Sequence, residues 1–229
     1  MARIALLTCA ALLALPVAAA AARPAMLVIG DSLATDSAGD LRTELGGWRV
    51  NVRAWGGVKL ETGMRWLREE RSLPPILAFS LFTNDPPRDG RRLEAAVVDT
   101  LRRHPGCHIW ATLFRGGGGL PNEFTAANAR LRKVERRHSD RMVLIDWAAW
   151  GDWAGTRLVP DGTHPTRAGN WLRARLYANA AQRCARRQAS EAIRQLPAPA
   201  ATWLSIPSRR HGSRGGLADI RRAETTVRR

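Results

Sequence analysis

The chain has 229 residues, 45% apolar and 24% charged. That is room for one ordinary domain with extensions, and the balance excludes a wholly disordered, collagen-like or disulfide-knot protein. The formal net charge of +16 raises nucleic acid and anionic polymers as partners, but its distribution weakens that reading. Of 36 basic residues only Lys59 and Lys133 are lysine. Residues 185–229 hold ten Arg against three acids, whereas residues 23–184 hold 25 basic and 17 acidic residues. Almost half of the excess therefore lies in the tail, and the arginine bias reads as composition. Specific nucleic-acid binding is not expected.

In chain order, residues 1–22 come first. Arg3, the apolar run Ile4 to Val17 and the small residues Ala18 to Ala22 match the three regions of a secretory signal peptide. The run is short for a membrane span, so cleavage near Ala20 to Ala22 and a secreted or periplasmic, cell-envelope location are expected. Cys9 would leave with the signal. No transmembrane span is expected afterwards.

Strand and helix patterns then alternate. Met26 to Gly30 is a buried strand, Leu41 to Leu45 is helical, and Trp48 to Trp55 alternates as a second strand. A helix over Met64 to Leu73 stops at Pro74-Pro75, before the apolar third strand Ile76 to Phe82. Leu93, Val97 and Leu101 form one stripe of a helix ending at Arg103. Cys107 to Phe114 is a fourth strand, Asn122 to His138 a helix, and Met142 to Trp147 a fifth strand. Thr166 to Arg187 is the last helix, with Trp171, Leu172, Leu176 and Ala180 expected on its inner face.

Five strands separated by helices predict an α/β fold, a doubly wound parallel sheet with helices on both faces. Ligands in such sheets bind beyond the carboxyl ends of the strands, which places any chemistry just after Gly30, Trp55, Phe82 or Phe114. Residues 23–187 form the expected domain. Residues 188–229, broken by Pro197, Pro199 and the glycines of 212–216, read as a basic, mostly disordered tail able to touch anionic surfaces weakly. The two cysteines left after export, Cys107 and Cys184, are expected to form a disulfide in an oxidising compartment; two separate buried thiols are the alternative. Neither they nor the five histidines have metal-ligand spacing.

Four short blocks fall where the sheet predicts chemistry. Strand one runs into Gly30-Asp31-Ser32-Leu33, where a serine hydroxyl can enter the crevice beside helix N–H groups that favour an anion. A plain helix cap would explain the same residues. Ala54-Trp55-Gly56-Gly57-Val58 follows strand two and Phe82-Thr83-Asn84-Asp85 follows strand three. Asp161-Gly162-Thr163-His164 sets a carboxylate and an imidazole in one turn, or is merely a polar loop before a helix.

In order and at these places, the blocks resemble those of the SGNH/GDSL hydrolase family over about residues 25–184. The resemblance implies a flavodoxin-like fold and a serine nucleophile at Ser32. It implies an oxyanion hole from the N–H of Ser32, the N–H of Gly57 (with Gly56 as the other candidate) and the amide of Asn84. It also implies a base at His164 oriented by Asp161. Such a set needs no metal or organic cofactor. Two positions depart from the family pattern: Phe82 and Leu60 stand where glycines are usual, and Phe82 is expected to narrow the rim beside Asn84.

The residue types fit acyl transfer. A serine hydroxyl needs an adjacent base, and imidazole is suited to that at neutral pH. Asp161 would orient the ring and offset its charge. The expected function is a secreted serine esterase acting on carboxylic, short-acyl esters. The alternative that the resemblance raises is an O-acetyltransferase or deacetylase acting on cell-envelope polysaccharide, and a third reading is a non-catalytic binder of acidic envelope polymers. The expected partner is an ester-bearing small molecule or an acylated polysaccharide. His104, His108 and His138 read as structural or solvated, Asp85 as a loop cap, and Trp147, Trp150 and Trp153 as core or rim.

Overall fold

The computed structural model describes residues 23–116 and 121–195. The expected signal peptide, most of the glycine run after Arg115, and the tail from residue 196 lie outside the described residues.

Five strands, β1 (Ala25–Gly30), β2 (Arg49–Ala54), β3 (Ile76–Ser80), β4 (Cys107–Ala111) and β5 (Met142–Ile145), form one parallel sheet in the order β2-β1-β3-β4-β5. This is the doubly wound α/β arrangement that the alternation predicted. β3 and β4 are buried at every residue and read as continuous apolar runs, as strands covered on both faces must. β2 is the edge and alternates, its Val50 and Val52 turned to the core.

Six helices cover the sheet: α1 (Ser32–Glu44), α2 (Leu60–Glu69), α3 (Gly90–Arg103), α4 (Thr125–Arg137), α5 (Trp147–Ala154) and α6 (Arg167–Arg194). α1 and α6 pack together on one face, over a core that includes Met26, Val28, Ala78 and Ile109. α2, α3 and α4 cover the other face, where Leu27, Leu77, Phe79 and Trp110 meet Leu93, Val97, Leu101 and Leu131. Phe79 and Trp110 stack with centroids 4.4 Å apart. Cys107, at the start of β4, is bonded to Cys184 of α6, so the expected disulfide ties the last helix to the sheet.

Several expectations shift. α1 begins at Ser32, nine residues before the expected helix start at Leu41, because Asp31 caps it by accepting from the Leu33 N–H at 3.1 Å. The fifth strand ends at Ile145 rather than at Trp147, because Asp146 caps a helix, α5, accepting from the Ala149 N–H. α6 passes through the expected boundary at residue 187 and continues to Arg194. Its inner face is as expected at Leu172, Leu176 and Ala180, which pack on the core, and differs at Trp171. Trp171 is exposed, while Arg173, Ala174, Tyr177, Ala178, Ala181 and Cys184 are buried.

Candidate active site

The strand order reverses between β1 and β3, the neighbours from which the chain departs in opposite directions. A crevice opens there beyond the carboxyl ends. Ser32 stands at its floor, one residue past the Asp31 cap and first in α1. The Leu33 N–H donates to Asp31 Oδ1 and the Ala34 and Thr35 N–H groups to the Asp31 carbonyl, so the N–H of this first turn that can serve an anion beside the hydroxyl is that of Ser32 itself.

His164 reaches Ser32 from the loop before α6. Its Nε2 lies 3.1 Å from Ser32 Oγ, and its Nδ1 lies 2.8 Å from Asp161 Oδ2. With the Nδ1–H donated to a carboxylate, Nε2 is the acceptor for the serine hydroxyl. The loop is built for this. The other Asp161 oxygen, Oδ1, accepts from the backbone N–H groups of Thr163 at 2.8 Å and His164 at 2.6 Å. One carboxylate therefore fixes both ends of the histidine residue. Desolvation works against it, but the His164 ring and the two backbone donors together hold the Asp161 carboxyl down to about 2. Gly162, between them, has φ +78, and a Cβ there would meet the Gly116 carbonyl oxygen at 2.3 Å; only glycine fits. The His164 and Asp161 side chains are 49% and 56% exposed, so the site is open to solvent.

The second and third blocks meet each other. Trp55 to Val58 is a turn closed by the Val58 N–H donating to the Trp55 carbonyl at 3.3 Å, with Gly57 at φ +74. Asn84 Nδ2 donates to the Val58 carbonyl at 3.1 Å, which ties the amide to the glycine turn. Asp85 accepts from the Leu60 N–H at 2.8 Å and caps α2, the bland role expected of it, and Leu60 is buried at that cap.

Phe82 is corrected. Its ring is not on the rim beside Asn84. It is 1% exposed and packs edge-on against Phe124 at 6.0 Å. Its φ of +85 is the only positive value outside glycine among the described residues, which gives a steric reason for glycine at this place in the family pattern.

Arg115, which the sequence places in the loop after strand four either to flank the substrate or simply to connect, is joined here by two residues the sequence does not single out, Ser80 and Arg173. Arg115 donates to the Thr83 carbonyl at 3.1 Å and pairs with Glu123 at 2.8 Å, so it pins the loop that carries Asn84. Beneath Ser32, Ser80 donates to Asp31 Oδ1 at 3.2 Å, and Arg173 donates to Ser80 Oγ at 2.9 Å. The one signal for Arg173 was an arginine on an otherwise apolar helical stripe, four residues from the chain's single tyrosine, Tyr177.

Trp147 is buried, whereas Trp55, Trp150 and Trp153 are exposed, and the last two meet edge-to-face at 5.7 Å. His104 and His108 lie at the other end of the sheet and belong to no site. Among the described residues no group of three or more His, Cys, Asp or Glu is placed to hold a metal ion.

The sequence matches no protein-family model and no curated protein. Its structure does find relatives. The C-terminal catalytic domain of Streptococcus pneumoniae peptidoglycan O-acetyltransferase A is 20% identical with a TM-score of 0.59, covering 72% of this chain and 95% of that one. An acylhydrolase from Bacteroides fragilis is 19% identical with a TM-score of 0.58, covering 70% of this chain and 90% of that one. A lipase/acylhydrolase from Enterococcus faecalis is 16% identical with a TM-score of 0.58, covering 70% of this chain and 96% of that one. At these identities the likeness is one of architecture, and the resemblance read from the four blocks holds at that level: the chain has the fold of the GDSL-like lipases and acylhydrolases.

Proposed function

We propose that the chain is a serine esterase of the SGNH/GDSL type, acting on carboxylic esters through an acyl-enzyme on Ser32. The observation that carries this reading is the hydrogen-bonded series Ser32 Oγ, His164 and Asp161, at 3.1 and 2.8 Å, at the topological switch point. A pure binding surface has no need of an imidazole held in one tautomer against a serine.

The steps follow from the Ser32–His164–Asp161 series and from the oxyanion donors that the family resemblance implies. Ser32 Oγ attacks the ester carbonyl while His164 Nε2 takes its proton. The carbonyl π electrons move to oxygen, and the oxyanion is received by the N–H groups of Ser32 and Gly57 and by the Asn84 amide. Asp161 keeps the ring oriented and offsets the imidazolium charge without taking the proton. The tetrahedral intermediate collapses, the C–O bond to the alcohol breaks, and His164 returns the proton to that oxygen. Water then repeats the sequence on the acyl-enzyme and releases the acid. Oxyanion donors of this kind are each worth about 10²–10³ in rate.

A second reading is transfer or removal of acyl groups on an envelope polysaccharide. It shares the acyl-enzyme and differs only in the acceptor. The open site favours it, since a polymer can lie across a half-exposed histidine, and one structural neighbour is a peptidoglycan O-acetyltransferase domain. Export is part of both readings. The Cys107–Cys184 bond fits an oxidising compartment, and among the described residues no helix is long and apolar enough to cross a membrane.

The test is a panel of p-nitrophenyl esters of graded chain length, assayed with and without acceptor sugars. Turnover of short esters that is lost in Ser32→Ala supports the esterase. Turnover that is stimulated by a sugar, with an acylated sugar as product, moves the assignment to transferase. Absence of turnover, together with no labelling of Ser32 by a fluorophosphonate, overturns both.

A further inference from the structure

Behind the nucleophile lies a charged cluster that none of the chemical steps above uses. Asp31 is fully buried. Its Oδ1 accepts from the Leu33 N–H, which starts α1 at Ser32, and from the Ser80 hydroxyl. Arg173, 2% exposed on α6, donates from Nη2 to that same Ser80 oxygen at 2.9 Å. Its guanidinium carbon lies over the rings of Trp147 at 5.0 Å and Tyr177 at 5.3 Å. The Tyr177 hydroxyl donates to the Phe79 carbonyl at 2.7 Å, next to Ser80 in β3. The cation therefore reaches Asp31 through one hydroxyl.

This is an expensive arrangement for a folding core. Among the described residues, Arg173 Nε and Nη1 and Asp31 Oδ2 have no protein partner. A buried pair with such gaps is weak ground for stability, and an apolar side chain of similar volume usually serves a core as well or better. What the arrangement does supply is position and charge balance at the residue before Ser32. An uncompensated carboxylate there would oppose the negative charge that develops on the substrate oxygen.

We propose that Arg173 is a positioning residue: through Ser80 it fixes the Asp31 cap beneath Ser32 and compensates its charge, so that the nucleophile and its N–H stay in place for the transition state. The proposal rests on the reading of Ser32 as the nucleophile. Burial pushes the Asp31 carboxyl up to about 6, and Arg173 pulls in the opposite direction. The titratable and charged groups facing Asp31 are Arg173 and Tyr177 from α6 and, across Ser32, His164; the Ser80 and Thr83 hydroxyls complete its surroundings.

The experiment compares wild type, Arg173→Met, Arg173→Lys, Ser80→Ala, Asp31→Asn and the double variant Asp31→Asn with Arg173→Met. For each, kcat and KM on p-nitrophenyl acetate, the pH profile of kcat and the melting temperature are measured. Arg173→Met should lower kcat about 10- to 100-fold, the scale set by small misplacements of reacting groups, with KM within about twofold. Arg173→Lys should recover most of that loss. The kcat deficit of Arg173→Met relative to wild type should narrow as pH falls, because Asp31 without its cation protonates earlier and its opposing charge goes with the proton, and this narrowing should be absent in the Asp31→Asn background. The double variant should be no slower than Asp31→Asn alone.

Equal, multiplying losses in both backgrounds would overturn the proposal. So would a lowered melting temperature with unchanged kcat per active site. If Arg173→Met does not fold, Ser80→Ala decides: a few-fold loss of kcat that vanishes in Asp31→Asn upholds the bridge, and an unchanged kcat ends it. Failure of the nucleophile reading looks different, since wild-type protein would then resist fluorophosphonate and Ser32→Ala would keep its turnover.

Discussion

The two ends of the sheet carry their buried polar groups in opposite ways. At the carboxyl end, Asp31 is fully buried yet faces a buried cation through Ser80, and a helix cap holds it in place. At the amino end, His108 and His104 contact each other at 3.3 Å, and burial pushes His108 down to about 4 and His104 down as well. One end balances a charge in the interior; the other excludes it. The disulfide between Cys107 and Cys184 is also at the amino end. The fold thus keeps its chemistry at one rim and its fastening at the other, and substitutions at the two ends should separate rate from stability.

The largest effect tests the first half of that division. Ser32→Ala should reduce ester turnover about 10³-fold or more, since no other nucleophile faces His164. The melting temperature should stay within a few degrees, because Ser32 is only partly buried. Wild-type turnover in this variant would remove the site from this rim.

The matching change at the other end is Cys107→Ser with Cys184→Ser. The bond closes a loop of 77 residues in sequence separation, worth about 4 kcal/mol in the chain-entropy model. A fall in melting temperature on the order of 10 °C is expected, with kcat at 25 °C nearly unchanged. A large loss of kcat in the folded variant would show that the disulfide holds α6, and with it Arg173, in catalytic register.

Next comes Asn84→Ala. It should lower kcat about 10²–10³-fold with a smaller change in KM, because the amide acts on the charge that appears in the transition state. A change confined to KM would make Asn84 a substrate contact instead. Its bond to the Val58 carbonyl gives the variant a structural cost too, and a thermal melt separates the two.

The contrast between the ends also has a pH signature. A histidine with a depressed folded pKa binds fewer protons folded than unfolded. Between pH 6.5 and about 4, His108 therefore costs stability as pH falls. Asp31, raised from 3.8 to about 6, does the reverse: in that window the folded state holds more protons, and stability rises as pH falls. Each contributes a slope of at most roughly 1.4 kcal/mol per pH unit. Denaturant melts from pH 7 to 4 should show a shallower loss in His108→Gln and a steeper one in Asp31→Asn. Identical slopes in the two variants would erase the distinction between the ends.

The five strands and the places of the four blocks were readable in the sequence because fully covered strands are continuous apolar runs, and β3 and β4 are buried at every residue. The contact of Ser32 with His164, 132 residues apart, could be reached only through the family pattern. Periodicity says nothing about which loops converge. The parts that were missed share one cause. α5, the burial of Arg173 on α6 and the support beneath Ser32 all depend on polar residues that are capped or buried by tertiary partners, namely Asp146, Arg173 and Asp31. A pattern that assigns polar residues to the surface cannot see them. Phe82 failed in the opposite sense, because a large ring was placed on a rim when the backbone turns it into the core.

Phe82 also supplies the smallest and sharpest test, since it sits at the catalytic rim but should act on stability. Two terms are mixed there. The ring is buried against Phe124, and the backbone is held at φ +85, a region costly for any residue with a Cβ. Truncation to alanine removes the ring and keeps the strain. Truncation to glycine removes both. At an ordinary buried position glycine is worse than alanine by roughly 0.5–1 kcal/mol, for reasons of chain entropy. Here the order should invert. Both variants should be less stable than wild type by a few kcal/mol from the lost ring, but Phe82→Gly should be the more stable of the two by about 1 kcal/mol, as the relief of a left-handed conformation exceeds the entropic term. The cavity is nearly common to both, so it cancels in the difference. Equilibrium unfolding of the pair reads that difference directly. Alanine more stable than glycine would mean that position 82 leaves the left-handed region once the ring is gone, and that the ring, not the turn after β3, dictates the backbone beside Asn84.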